Sequence, residues 1–295
     1  MNFYTIFEDR EIITVTGPDA RDFLQSMISN DASKITPLVS IYAAILTPQG
    51  KFLHDFIISQ HGDSFRLDTE KPRASDLVER LKIFRLGSSV EISSEGDRLR
   101  VAALWNKNKP VIFGDNPVVG NTATIGKCSV IVDPRVATLG YRIIGEHKNI
   151  NALITGEVNP KPINTDYDMH RLQVGVPDGS RDIRVNKSFL LESNFEELNG
   201  IDFKKGCYVG QENTARMKLR NKVRRRLLPV SVRKELSLDG EILYNEKKVG
   251  KILINKPFPF ALIKLFDPDL LEFANKDLSS NNSKIKLIRS SFLSP

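Results

Sequence analysis

Between residues 40 and 69 the chain reverses direction twice in quick succession. Residues 40–46 and 51–59 have strand composition and are joined at Thr47-Pro48-Gln49-Gly50; a third run, 64–69, follows the turn at His61-Gly62-Asp63. Turns this short connect antiparallel neighbours, because a parallel crossover needs a dozen residues or more. The segment therefore reads as a meander. Ahead of it, residues 11–16 read as a strand. A helix then opens at Gly17-Pro18-Asp19, with Ala20, Phe23, Leu24, Met27 and Ile28 on one face. A second helix is expected over 72–84, with Leu77, Leu81 and Phe84 on one face, and strands over 89–93, 99–105, 129–132 and 138–144. Thr165 and Asp168 match a capping box for a helix over 166–175. Residues 176–201 read as mostly irregular, and a loop of that length usually carries function. Strands at 241–244, 249–254, 260–265 and 284–288 have the spacing of a small barrel or sandwich. The pattern is α+β, with a boundary expected at Leu228-Pro229 that divides 1–228 from 229–295.

The stretch KKGCYVGQENTAR, residues 204–216, sets Cys207 between Gly206 and Gly210, just ahead of a segment that reads as a helix. A thiol acts as nucleophile or ligand only as thiolate, and the neighbouring Lys204 and Lys205 and a helix start favour that form. Gly206 and Gly210 allow tight turning and close approach of the backbone to a ligand. The competing reading makes Cys207 a small buried apolar residue, as free cysteines commonly are. The other cysteine, Cys128, lies in the strand-like CSVIV and reads as core. A metal site within one chain needs about four Cys or His ligands. The pool of Cys128, Cys207, His54, His61, His147 and His170 shows no CxxC and no HxxxH, so no permanent metal is expected. Residues 177–182, PDGSRD, read as a turn.

Two cysteines cannot build a disulfide framework, no window reaches the ~18 apolar residues of a membrane span, and MNFYTIFEDREII lacks the features of a secretory leader. The expectation is reduced thiols in the cytoplasm. The formal charge is +7, and Lys218, Arg220, Lys222, Arg224, Arg225 and Arg226 account for all but +1 of it. Lys218, Arg220, Lys222, Arg224 and Arg226 recur at period two, so as a strand they line one face; Leu219, Asn221, Val223, Arg225 and Leu227 line the other. Such a strip suits a polyanionic tail or phosphates, or is a solvated edge that discourages strand pairing. The run has no interleaved aromatics for stacking single-stranded bases.

KGCYVGQE, residues 205–212, resembles the signature of the YgfZ family, the folate-binding relatives of the glycine-cleavage T protein. GPDARDFLQSMISND (17–31), LTPQGKFLHDF (46–56), HRLQVGVPDGSRDI (170–183) and KKVGKILI (247–254) follow in the family's order, so the resemblance covers nearly the whole chain. It implies a ring of three lobes around a central hole, the last lobe a small β-barrel. It also implies a cytoplasmic accessory protein for iron–sulfur cluster assembly or repair that binds tetrahydrofolate and indirectly supports tRNA-modifying iron–sulfur enzymes. The implied partners are folate and transient assembly or client proteins, with no membrane and no direct nucleic acid. Cys207 would be the working thiol. Asp55, Glu192, Lys205, Gln211, Glu212 and Arg216 would contact folate, and Lys218, Arg220, Lys222 and Arg224 its anionic tail. Two positions depart from the T-protein pattern. His54 stands where the first acid of the aminomethyl-transfer pair is expected, leaving Asp55. Gln173 stands where a pterin-binding glutamate is expected, so Glu192 takes that role. A folate-dependent aminomethyltransferase or demethylase and an RNA-binding module are the alternatives.

Overall fold

The computed structural model describes residues 1–106, 117–156, 163–220, 223–232, 236–255, 259–281 and 283–288. The chain clusters into two compact units, one of Met1–Ile45, His54–Tyr167 and Leu198–Val209, the other of Leu46–Leu53, Asp168–Glu197 and Gly210–Pro295.

The first unit is built from β1 (Asn2–Ile6), β2 (Arg10–Thr16), α1 (Ala20–Met27), β3 (Ile41–Leu46), β4 (Phe52–His61), β5 (Ser64–Glu70), α2 (Ala74–Phe84), β6 (Glu91–Ser94), β7 (Arg100–Asn106), β8 (Thr122–Ile125), β9 (Cys128–Val132), β10 (Tyr141–Gly145), α3 (His147–Gly156) and β11 (Ile163–Asn164). The expected meander forms one end of a five-stranded sheet ordered β3-β4-β5-β2-β6. Its β4–β5 hairpin closes at the His61–Ser64 pair. A six-stranded sheet is ordered β11-β1-β7-β10-β9-β8. Cys128 is buried there among Ala102, Val130, Ile143 and Ile150, as its apolar surroundings predict. The apolar stripe of α1 is buried at Ala20, Phe23, Leu24 and Met27.

A chain of buried charges and rings runs through this unit. Arg10 Nε donates to Asp68 Oδ1 at 2.7 Å, and Arg142 lies 3.6 Å from the other oxygen of that carboxylate. Arg142 also covers the rings of Phe7 and Tyr167. Asp133 is bonded by Arg135 through both oxygens, and Arg135 lies over the ring of Tyr42. Buried charge is tolerated when each ion is paired and its remaining donors are met.

The second unit carries α4 (Tyr167–Val174) from Asp168 onward, α5 (Gly179–Asp182), α6 (Gln211–Leu219), β12 (Arg225–Val232), β13 (Glu241–Tyr244), β14 (Lys247–Ile254), β15 (Phe260–Lys264), α7 (Leu270–Phe273), β16 (Leu278–Ser280) and β17 (Ser283–Leu287). Its strands close into a six-stranded barrel, β12-β15-β14-β13-β16-β17, around Val230, Ile242, Val249, Ile252, Ile263, Phe273 and Ile285. Closure removes the exposed edges that an open sheet this small would present. The point between Leu228 and Pro229 falls inside β12, the first barrel strand.

The segment expected to be irregular is packed. Val176, Ile183, Leu190, Leu191 and Phe195 are buried. Residues 177–182 are more than a turn, because α5 presents Asp182 to Arg171, whose side chain is fully buried. Arg171 bonds Asp182 at 2.6 Å, Asp168 at 2.6 Å and the Val176 carbonyl at 3.1 Å, and Arg181 adds bonds to Asp168 and Asp178.

Candidate functional site

Cys207 is exposed, which removes the reading of it as a core residue. The segment that carries it lies against the C-terminal end of α1. A helix cannot satisfy its own last carbonyls, and this segment supplies donors to two of them, at Gln25 and Ser26, and to two carbonyls just past the helix, at Ile28 and Asn30. Lys205 Nζ donates to the carbonyls of Gln25, Ile28 and Asn30 at 2.7, 2.6 and 2.9 Å. The Val209 N–H donates to Ser26 at 3.2 Å. Asp202 braces the entry to the loop. Its Oδ1 accepts from the Lys204 and Lys205 amides, its Oδ2 pairs with Lys34, and its own N–H bonds the Ser29 carbonyl. Expected as a folate contact, Lys205 has instead committed the three donors an ammonium possesses. Burial lowers its pKa to about 8, against the pull of Asp31 and Asp202.

Gly206 and Gly210 differ in kind. A Cβ on Gly206 would meet nothing within 4 Å. Gly210 has φ +83°, and a Cβ there would fall 2.3 Å from the Thr47 carbonyl oxygen. Gly210 caps α6, whose first turn holds Gln211 and Glu212. The acid suits the positive end of that helix.

Glu192, in the second unit, is buried, and its Oε1 accepts from Arg225 Nε at 2.9 Å and Nη2 at 2.8 Å. Lys51 lies over the ring of Phe189 at 3.1 Å, and burial lowers its pKa while Glu192 opposes that shift. The grouping of Glu192, Arg225, Lys51 and Phe189 combines a fixed carboxylate, two cations and an aromatic face. Sequence reasoning missed Arg225 and Lys51. The signal for Arg225 lay in its being the one basic residue of the run out of phase with the period-two strip.

Asp55 is buried and accepts a bond from the Tyr42 hydroxyl at 2.7 Å. His54 precedes it on β4. Neighbouring strand positions face opposite sides of a sheet, and His54 accordingly turns away to Asp76, 2.7 Å from Nε2. Burial and Arg73 pull its pKa down to about 4, so it is neutral at pH 7. Gln173 is exposed on α4.

The cationic run is not a continuous strand, which corrects that expectation. Lys218 lies in α6 and Arg220 ends it, Arg224 precedes β12, and Lys222 lies outside the described residues. Ala215, Arg216, Met217, Lys218 and Leu219 are strong helix formers, and that preference outweighs the alternation of charge. Arg216 bonds Asn213, Lys218 pairs with Glu196, and Arg226 pairs with Glu197. Arg220 and Arg224 are exposed.

No family model matches the chain. It is 30% identical to the mitochondrial iron–sulfur cluster assembly factor IBA57 homologue of Neurospora crassa over 95% of its own length and 63% of that protein's. To human mitochondrial IBA57 it is 29% identical, covering 79% of its own length and 67% of the relative's. It thus spans about two thirds of the length of these proteins. Superposed on the aminomethyltransferase T of the glycine cleavage system from Bartonella henselae, it gives a TM-score of 0.74 over 99% of this chain and 86% of that one, at 13% identity. The expected T-protein-like α+β architecture with a terminal barrel is therefore present. The cytoplasmic expectation is overturned, because both IBA57 relatives are named as mitochondrial. Its basis was the lack of a disulfide framework, which argues against a secreted protein but does not separate one reducing compartment from another. The chain is thus similar over most of its length to proteins named as IBA57 iron–sulfur cluster assembly factors, and it is built on the fold of the glycine-cleavage T protein.

Proposed function

We propose that the protein is an accessory factor in iron–sulfur cluster assembly or repair, with Cys207 as its working thiol and a bound tetrahydrofolate as its cofactor. The observation that carries this reading is an exposed thiol on a segment tied to α1 from both sides, in a homologue of proteins named for that process. A single thiol supplies one of the four ligands that a cluster usually takes. Among the described residues no group of three His, Cys, Asp or Glu stands ready to hold a metal ion. A cluster handled here would be shared with a transient partner that contributes the remaining ligands. Client enzymes would include those that modify tRNA.

The residues of the second unit fit a folate. Arg225 takes one oxygen of Glu192, which orients the carboxylate and leaves its second oxygen for the N–H groups of a pterin. Lys51, Arg216, Arg220 and Arg224 offer positive charge to a glutamate tail. When bound, tetrahydrofolate supplies a carrier for one-carbon units. Glu192 would accept hydrogen bonds from it, and Arg225 would hold Glu192 in place.

Aminomethyl transfer is less well supported. It draws on an acid pair, and here His54 is neutral, faces Asp76 and lies on the opposite face of β4 from Asp55. The reading is tested by supplying cells that lack their own copy with the native protein or with Cys207→Ser, and assaying iron–sulfur enzyme activities. Native protein should restore them, and Cys207→Ser, at equal abundance, should not. Full restoration by Cys207→Ser would refute the role of the thiol.

A further inference from the structure

Cys207 sits at the top of a short arch. One foot is Lys205 and the other is the main chain of Val209, and both stand on carbonyls in the last turn of α1 and the three residues that follow it. The two feet differ in strength. Val209 contributes one main-chain bond of 3.2 Å. Lys205 contributes three charge-assisted bonds of 2.6–2.9 Å, a class roughly twice as strong as neutral hydrogen bonds. The last turn of α1 carries no basic residue of its own, so Lys205 also brings the positive charge that the negative end of a helix favours. Its ammonium lies 4.9 Å from the centre of the Tyr208 ring, which ties the residue after the thiol to the same point. At Gly206, between Lys205 and Cys207, a Cβ would meet nothing within 4 Å, so packing there does not fix the arch.

We infer that Lys205 is the positioning residue for Cys207, fixing where the arch presents the thiol by clamping it to the end of α1. The inference rests on the reading of Cys207 as the working thiol. It does not require Lys205 to touch a ligand.

Arginine keeps the charge but cannot bring three donors from one nitrogen to converging acceptors, so Lys205→Arg should retain part of the function.

The test combines amide exchange with rescue of cells lacking their own copy, using the native chain, Lys205→Met, Lys205→Arg and Cys207→Ser. Lys205→Met should melt within a few degrees of native while protection of residues 203–208 drops tenfold or more. It should fail to rescue, as Cys207→Ser fails. Unchanged protection in Lys205→Met, or full rescue by it where Cys207→Ser fails, overturns the positioning role and leaves the thiol reading standing. Rescue by Cys207→Ser overturns the thiol reading and the inference with it. If Lys205→Met does not fold, Lys205→Arg decides the matter: lowered protection of residues 203–208 with partial rescue supports the clamp, and full protection with full rescue overturns it.

Discussion

Asp182 is the most informative residue to alter in the segment that carries Glu192. It is fully buried, and its Oδ2 accepts from Arg171 at 2.6 Å and from the Asp178 N–H at 2.8 Å. Burial pushes its pKa up from 3.8 to about 6, even though Arg171 pulls the other way. The sign follows from which state binds the proton more readily. Between pH 3.8 and 6 the folded chain takes up a proton that the unfolded chain does not, so ionised Asp182 costs stability. The cost is absent below pH 3.8 and complete above pH 6. At 1.36 kcal/mol per tenfold, the gap amounts to about 3 kcal/mol. Asp182→Asn cannot titrate and lacks this dependence. Urea unfolding of both proteins from pH 4 to pH 7.5 isolates the effect from the other carboxylates. The stability of the native protein minus that of Asp182→Asn should fall by about 3 kcal/mol across the window and then level off. A flat difference, or one that rises with pH, would show that Arg171 keeps Asp182 ionised at an ordinary or lowered pKa and would refute the reasoning.

Calorimetry with tetrahydrofolate should show binding weakened about 10- to 150-fold by Glu192→Ala, the loss of a charged hydrogen-bond partner costing about 1.5–3 kcal/mol. Arg225→Met should weaken it in the same direction by freeing the carboxylate, and unchanged affinity in both would place the pterin elsewhere. Thermal melts should separate the two glycines beside the thiol: Gly206→Ala should be neutral or stabilising by about 0.4–1 kcal/mol, whereas Gly210→Ala, at φ +83° and against the Thr47 carbonyl, should lose about 1–3 kcal/mol or more. Neutralising Arg220 and Arg224 together should spare binding of monoglutamyl folate and shrink the preference for long tails. A steep salt slope with RNA, near −0.7 per phosphate contacted, together with no response to tail length, would favour the nucleic-acid reading.

Much of the fold follows from local pattern. The β3–β5 meander and the barrel hairpin at β13 and β14 rest on turn residues between short runs of strand composition, and α1 rests on one apolar stripe. β1 was missed because NFYTI opens the chain with no turn ahead of it, and its partners, β7 and the short β11, lie about a hundred residues or more away. α6 was recognised as a helix but its extent was not, because the alternation of basic residues mimics a strand where helix propensity prevails. At the site, the chemistry of Cys207 was legible and its supports were not. Lys205 beside a thiol suggests a charge for a ligand or for the thiolate, and only the fold brings the end of α1 within its reach. Arg225 was assigned to the face opposite the cationic strip, and the fold pairs it there with Glu192. His54 and Asp55 read as neighbours in one motif, yet the alternation of a strand sends them to opposite faces.

Under the proposed function, the chain promotes iron–sulfur assembly through Cys207. The most direct measurement is the rate at which an iron–sulfur enzyme is activated in mitochondrial extract depleted of the native factor, after adding back either purified protein or Cys207→Ser. The native chain should accelerate activation, and Cys207→Ser, folded to the same melting temperature, should leave the rate at that of the depleted extract. Equal acceleration by the two proteins would contradict the proposed function.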